Sequence, residues 1–156
     1  MFDKVEINTD NELSNFDIIK IINEMNLDHV FGGVYSKDLL PRALTRNKFY
    51  IINLQDHDKG GGTHWTAFFY NKPLTSIYYD SFGFIAPLEV QEIITPYDYN
   101  DKEIQNYKSS ACGYYCIAFI KFMYNKTNKE EAFKTFLSLF KLQTFKNDKV
   151  LYDLLY

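Results

Sequence analysis

A polar segment gives way to an apolar run within Gln105-Asn106-Tyr107-Lys108-Ser109-Ser110-Ala111-Cys112-Gly113-Tyr114-Tyr115-Cys116. This change predicts a helix that begins near Cys112. Unpaired backbone N–H groups and the positive end of the helix dipole favour a thiolate at such a position, and the thiolate is the form that attacks a carbonyl carbon. Cys112 is therefore a candidate nucleophile, although an isolated cysteine is more often a small buried hydrophobe.

Two upstream segments supply a candidate base and a candidate carboxylate. His64 opens a strand-like run after Gly60, Gly61 and Gly62, and Asp80 closes the next such run. An imidazole can accept the proton of the thiol, and a carboxylate can fix the imidazole tautomer and stabilise the imidazolium. An alternative explanation of Asp80 is an ordinary turn residue before Ser81 and Gly83.

The other two histidines are weaker candidates for the base. His29 precedes an apolar loop, and His57 lies in a charged Asp-His-Asp turn. His64 is followed by Trp65 and an alternating strand that would fix the direction of its ring. We therefore predict that His64 is the base.

Together these segments resemble a known family. The pieces GGGTHWTAFFY, YYDSFGF and QNYKSSACGYYC are similar to the adenovirus maturation protease family, the adenains, and to the wider clan of SUMO- and NEDD8-specific cysteine proteases. In all three pieces the order and spacing agree, including a Gln seven positions before the Cys-Gly pair. The piece FGGVYSKDLLP, residues 31–41, looks like adenain-like proteases of virophages and Maverick/Polinton elements. The resemblance covers roughly residues 28 to 122.

The resemblance implies a papain-like α+β fold. In this fold a central antiparallel-rich sheet is flanked by helices, and the catalytic cysteine lies at a buried helix N-terminus. It implies catalytic roles for His64, Asp80 and Cys112; adenains carry Glu at the position of Asp80, and the SUMO-protease branch carries Asp. It also implies that the amide of Gln105 binds the oxyanion together with the backbone N–H of Cys112.

Two further residues are assigned to the substrate cleft. By analogy Trp65 would pack beside the catalytic histidine, but a core position explains it equally well. Gly113 lacks a Cβ, so substrate backbone could approach the nucleophile closely there.

The function implied is a cysteine endopeptidase that processes capsid or virion precursor proteins during viral maturation. Such enzymes often cleave near Gly-Gly or Gly-X sites through a thioester acyl-enzyme. The expected locations are the host cytoplasm or viral factory and the virion interior. The alternatives are a deubiquitinase-like or SUMO-protease-like hydrolase of a modifier that ends in Gly-Gly, an acyltransferase on the same scaffold, and an inactive capsid component.

Composition restricts partners and cofactors. The 156 residues suit one domain, 1–156, and 18% of them are aromatic. A net charge of −3 does not favour nucleic-acid binding, so activation by DNA, as in adenain, is not expected. The only cysteines, Cys112 and Cys116, form neither a disulfide framework nor a metal-ligand pattern, and Cys116 offers no tether for an activating peptide. We expect no required cofactor, no metal, no membrane segment and a monomer.

Periodicity and turn residues predict the remaining elements. Helices are predicted over 15–26 with Ser14 as N-cap, and over 87–94, 112–124, 129–140 and 145–155. Strands are predicted over 48–54, 63–70 and 75–79 as an antiparallel meander, with an edge strand over 103–107. A loop with one short strand is expected over 27–41, and a charged, glycine-rich turn over 56–62.

Overall fold

The computed structural model describes residues 7–58 and 64–156. The helices are α1 Asn15–Glu24, α2 Leu88–Ile94, α3 Cys112–Met123, α4 Lys129–Ser138 and α5 Asn147–Leu155. The strands are β1 Phe31–Ser36, β2 Lys48–Asn53, β3 Trp65–Tyr70, β4 Ser76–Tyr79 and β5 Tyr97–Tyr99. Each predicted helix is present, with its ends shifted by a few residues. Gly60, Gly61, Gly62 and Thr63 lie outside the described residues.

The sheet is mixed and follows the order β1-β2-β3-β4-β5. The predicted antiparallel meander is confirmed for β2, β3 and β4. Both edge strands run parallel to their neighbours, so antiparallel pairs do not predominate, contrary to the prediction. The short strand expected over 27–41 is β1, which pairs with β2 along its whole length.

The predicted edge strand over 103–107 is wrong. The backbone N–H groups of Ile104 and Gln105 both donate to the carbonyl of Ser81, so this segment forms a loop beyond the end of β4. The edge position belongs to β5, in which two tyrosines flank an aspartate. Aromatic residues favour extended backbone, but three residues are too few to give a clear alternating pattern.

Both faces of the sheet are covered, which explains why its strands are apolar at nearly every position. On one face Phe49, Ile51, Ala67, Phe69 and Tyr79 join the main core with residues of α1, α3, α4 and α5. On the other face Tyr50, Ile52, Phe68 and Tyr78 pack with Leu40 and residues of α2.

Helix α3 passes through the main core. Ten of its 12 residues are buried, as the apolar pattern predicts. Phe119 stacks on Tyr79 of β4 with ring centroids 5.2 Å apart, and it meets Phe133 and Phe136 of α4 edge-on. Such aromatic contacts contribute beyond buried area alone, so the sheet fixes the position of the helix that begins at Cys112.

Helix α1 begins as predicted at the Ser14 cap. The Ser14 hydroxyl accepts from the N–H of Asp17, and the Asp17 carboxylate accepts from the N–H of Ser14. This reciprocal pair satisfies two donors that a helix N-terminus leaves free. It fixes the point at which the helix follows the preceding segment, which contacts α3 through Asn8 and Leu13.

Candidate active site

His64 and Asp80 meet at one end of the sheet. His64 immediately precedes β3, Asp80 immediately follows β4, and these strands are antiparallel. Nε2 of His64 lies 2.7 Å from Oδ1 of Asp80, and the Asp80 side chain is 1% exposed. A carboxylate so placed can accept a hydrogen bond from Nε2–H, which leaves Nδ1 as the nitrogen that can exchange a proton with a nucleophile.

Asp80 is itself held at its carboxylate and at its backbone. Its Oδ1 also accepts from the N–H of Phe82 at 2.8 Å. Asn100, which is buried, donates from Nδ2 to the Asp80 carbonyl at 2.6 Å and accepts from the Asp80 N–H at 3.1 Å. This clamp fixes the direction of the carboxylate. Asn100 is not among the residues predicted from the sequence, because its contact with Asp80 joins residues 20 apart and follows no local pattern.

An aromatic ring covers the His64 imidazole. Phe82 stacks on it with centroids 4.6 Å apart and planes inclined by 28°. Trp65 was predicted either to pack beside the catalytic histidine or to lie in the core. Trp65 is part of the main core, where its Nε1 donates to the carbonyl of Leu13 at 2.9 Å.

The electrostatic surroundings of His64 favour its protonated form. Burial alone would lower its pKa, but the hydrogen bond and charge of Asp80, together with the Cys112 side chain, raise the pKa to about 9. Nδ1 is buried and has no hydrogen-bond partner within the described part of the chain. The ring is therefore held through Nε2 and close enough to Cys112 for the two side chains to interact.

The second His–Asp pair of the molecule differs in its surroundings. His57 forms an ion pair with Asp38 through Nδ1, and its side chain is 53% exposed. The hydrogen bond to Asp38 raises the pKa of His57.

Cys112 is the first residue of α3, and its side chain is buried, with 6% exposed. The preceding Ala111 provides no side-chain cap. The N–H groups of the first turn of a helix have no partner within the helix, so those that follow Ala111 can face an anion. Cys112 thus lies at the N-terminus of a helix, and its side chain is one of the groups that raise the pKa of His64.

Gln105 is fully buried and its side-chain amide is fixed at both ends. Oε1 accepts from the Ser81 hydroxyl at 2.6 Å, and Nε2 donates to the Ser109 carbonyl at 2.8 Å. A carbonyl can only accept, which determines which end of the amide faces Ser109. A primary amide has two N–H groups, and this contact uses one of them.

Gly113 and Trp65 both contact the segment that precedes α1. A Cβ on Gly113 would lie 3.0 Å from Cδ1 of Leu13, so close packing against Leu13 explains the glycine. A cleft beside Trp65 is bordered by 12–15 and by the ends of β1 and β2. The assignment of Trp65 and Gly113 to a substrate cleft stays a prediction.

Among residues 7–58 and 64–156, no three His, Cys, Asp or Glu side chains are grouped so that they could hold a metal ion. No helix in that part of the chain has the length and apolar character needed to cross a bilayer.

Comparison with known proteins identifies the fold. No family model matches the sequence, and no curated protein sequence matches it. The crystal structure of the ASFV pS273R protease matches with a TM-score of 0.58 and 15% identity, over 97% of this chain and 69% of that chain. The selenomethionine form of the same protease matches with a TM-score of 0.58 and 14% identity, over 97% and 70% of the two chains. The chain therefore shares the fold of that protease, which agrees with the mixed α+β fold predicted from the sequence.

The His64–Asp80 pair gives a prediction about pH. The pKa of His64 is about 9 in the folded protein and 6.5 in the unfolded reference. Because the folded pKa is the higher one, protonated His64 stabilises the fold fully below about pH 6.5, and this contribution is lost as pH rises through about 9. Asp80→Asn removes the anion and should lower the pKa of His64. We expect the parent to have a higher unfolding free energy than this variant at pH 6. At pH 10 this difference between parent and variant should be smaller by on the order of 3 kcal/mol.

Urea unfolding of both proteins at the two pH values measures this difference. Asp38→Asn, at the exposed His57 pair, is the matched control and should show little change, because solvent screens exposed pairs. A parent-to-variant difference that is equal at pH 6 and pH 10 would contradict the assignment of the His64 proton.

Proposed function

We propose that this chain is a viral cysteine endopeptidase of the adenain type that cleaves virion precursor proteins during maturation. The observation that carries the proposal is the arrangement of His64: its Nε2 lies 2.7 Å from Asp80, and its ring interacts with Cys112 at the start of α3. A thiol, an imidazole and a buried carboxylate in this relation form an activated nucleophile. The fold shared with a protease supports peptide-bond hydrolysis as the reaction.

In the proposed mechanism the Cys112 thiolate attacks the carbonyl carbon of the scissile bond. The oxyanion that forms is bound by the free N–H of Gln105 and by backbone N–H groups at the start of α3. Protonated His64 then gives its Nδ1 proton to the leaving amine, and the acyl group remains on sulfur as a thioester. Neutral His64 next takes a proton from water, the resulting hydroxide attacks the thioester, and the Cys112 thiolate leaves.

For substrates we propose chains with glycine before the scissile bond, as the adenain resemblance implies. Phe82 covers one face of His64, and Leu13 packs against Gly113, so bulky groups border the nucleophile. A glycine residue needs the least room between such groups. The cleft beside Trp65 is the proposed path for the substrate chain.

Coexpression with the capsid and packaging proteins of the same genome tests this function. The parent chain should cut at least one of them next to glycine, and Cys112→Ala should cut none, as read by intact mass and N-terminal sequencing. Fluorogenic ubiquitin and SUMO substrates are the matched comparison. Hydrolysis of these modifiers, together with intact virion proteins, would contradict a maturation protease and indicate a modifier-specific hydrolase.

A further inference from the structure

The C-terminal helix α5 contacts the loop that carries Gln105, although none of the sequence motifs extends to it. We infer that Asp148 of α5, acting through Ser109, is a positioning residue for the oxyanion-binding amide of Gln105. This inference rests on the proposed function. It assigns the C-terminal part of the chain a catalytic purpose in addition to core packing.

Ser109 connects the two groups. Its carbonyl accepts from Nε2 of Gln105 at 2.8 Å, and its hydroxyl lies 3.0 and 2.9 Å from the two carboxylate oxygens of Asp148. A hydroxyl that donates to a carboxylate makes one of the stronger hydrogen bonds in proteins. Asp148 therefore fixes the residue whose carbonyl orients the amide.

The same carboxylate also fixes the start of α3. Asp148 accepts from the hydroxyl of Tyr115 at 2.8 Å, and the Ser109 hydroxyl accepts from the N–H of Ala111 at 3.2 Å. Ala111 directly precedes Cys112. The Asp148 carboxylate therefore holds both the loop that orients the Gln105 amide and the first turn of α3. Two groups that bind a single oxyanion need such a fixed relative position.

The neighbouring residue of α5 holds the other end of the loop. Asn147 is fully buried and donates from Nδ2 to the carbonyl of Ile104 at 2.8 Å. Its Nδ2 also donates to the carbonyl of Lys141, and its Oδ1 accepts from the Lys141 N–H. The first turn of α5 thus grips the loop at Ile104 and at Ser109, on both sides of the Gln105 amide.

Asp148 has an alternative, purely structural explanation. It lies in the first turn of α5, where a carboxylate stabilises the helix dipole, and that effect would act on stability alone. However, within the described residues no lysine or arginine forms an ion pair with it, and its side chain accepts hydrogen bonds from the hydroxyls of Ser109 and Tyr115. Both partners border the proposed oxyanion site, so we expect an effect on turnover.

The test compares Asp148→Ala and Ser109→Ala with Asp153→Ala, a control on the same helix whose side chain is 66% exposed. A pool of fluorogenic peptide amides ending in Gly-Gly reports kcat and KM. We expect each of the first two variants to lower kcat by about 10- to 100-fold with KM changed less than about threefold, because small displacements of a catalytic group cost this much. Asp153→Ala should match the parent.

Two further readouts separate positioning from general damage. Alkylation of Cys112 by iodoacetamide forms no oxyanion, so its rate should stay within about twofold of the parent in both variants. In a Gln105→Ala background each substitution should lower kcat by much less than it does in the parent, because the part of its effect that passes through the amide is already lost. If Asp148→Ala melts at a much lower temperature, Ser109→Ala still breaks the link from the loop side.

Three outcomes would overturn the inference. They are an unchanged kcat in Ser109→Ala, an alkylation rate that falls as much as kcat does, and a loss of kcat in the Gln105→Ala background equal to the loss in the parent. Failure of the proposed function gives a different result. In that case the parent itself would hydrolyse no peptide of the pool, or its hydrolysis would survive Cys112→Ala.

Discussion

Cys112→Ala is expected to abolish peptide hydrolysis, with a loss in kcat on the order of 10⁶-fold, because removing a catalytic nucleophile removes the covalent route entirely. Binding should persist, since His64, Gln105 and the walls of the cleft remain. Hydrolysis of fluorogenic Gly-Gly peptides measures turnover, and fluorescence anisotropy of an uncleaved peptide measures affinity. Loss of turnover with retained affinity is the expected result.

Cys116→Ala is the matched control. Cys116 lies one turn further along α3, is 1% exposed, and burial raises the pKa of its thiol, so it should be inert. The variant should keep kcat within a few-fold of the parent and lose on the order of 1 kcal/mol of stability. Substantial hydrolysis by Cys112→Ala, or its loss in Cys116→Ala, would refute the choice of nucleophile.

Gln105→Ala is expected to lower kcat by about 10²–10³-fold with little change in KM, because the amide would bind charge that develops only in the transition state. The contacts with Ser81 and Ser109 point to this effect, since they pre-organise the amide before substrate binds. Steady-state kinetics on the same peptides provide the measurement. The melting temperature of each variant is measured as well, because Gln105 is fully buried and its replacement can also change stability.

Gln143→Ala, at an exposed position near α5, controls for loss of a glutamine as such. It should leave both constants unchanged. A rise in KM with constant kcat in Gln105→Ala would show instead that Gln105 contributes to substrate binding equally in the ground state and the transition state.

The order of elements along the chain was predictable because most of them carry local patterns. The Ser14 cap, the aromatic and β-branched content of β2 to β4 and the apolar run after Ala111 each depend on neighbouring residues. The helix N-terminus at Cys112 and the strand ends at His64 and Asp80 follow from the same patterns. His64, Asp80 and Cys112 could therefore be proposed from these patterns, whereas Gln105 was proposed from the resemblance to adenains.

The parts that sequence did not predict depend on distant contacts. The Asn100 clamp on Asp80 joins residues 20 apart, and the Ser109–Asp148 contact joins residues 39 apart. Polar side chains that hydrogen bond to remote backbone or hydroxyl groups leave no periodic trace. The edge strands were misjudged for a similar reason, because parallel pairing is decided by the crossover connections and not by the strand residues.

The stacking of Phe82 on His64 lies between these cases. Phe82 stands in a Phe-Gly-Phe segment directly after the carboxylate, so its motif was visible in the sequence. Which aromatic residue covers the imidazole depends on the register of β3 against β4, which places residue 82 opposite residue 64. Knowledge of the register alone would have favoured Phe82 over Trp65.

The measurement that tests the central claim most directly is peptide mapping by mass spectrometry after reaction with vinyl sulfone probes that carry Gly-Gly or Gly-X-Gly. We predict one adduct per chain, on Cys112, which forms in the parent and in Cys116→Ala but is strongly slowed in His64→Ala. Absence of an adduct on the folded parent, or equal labelling of Cys112 with and without His64, would contradict the account.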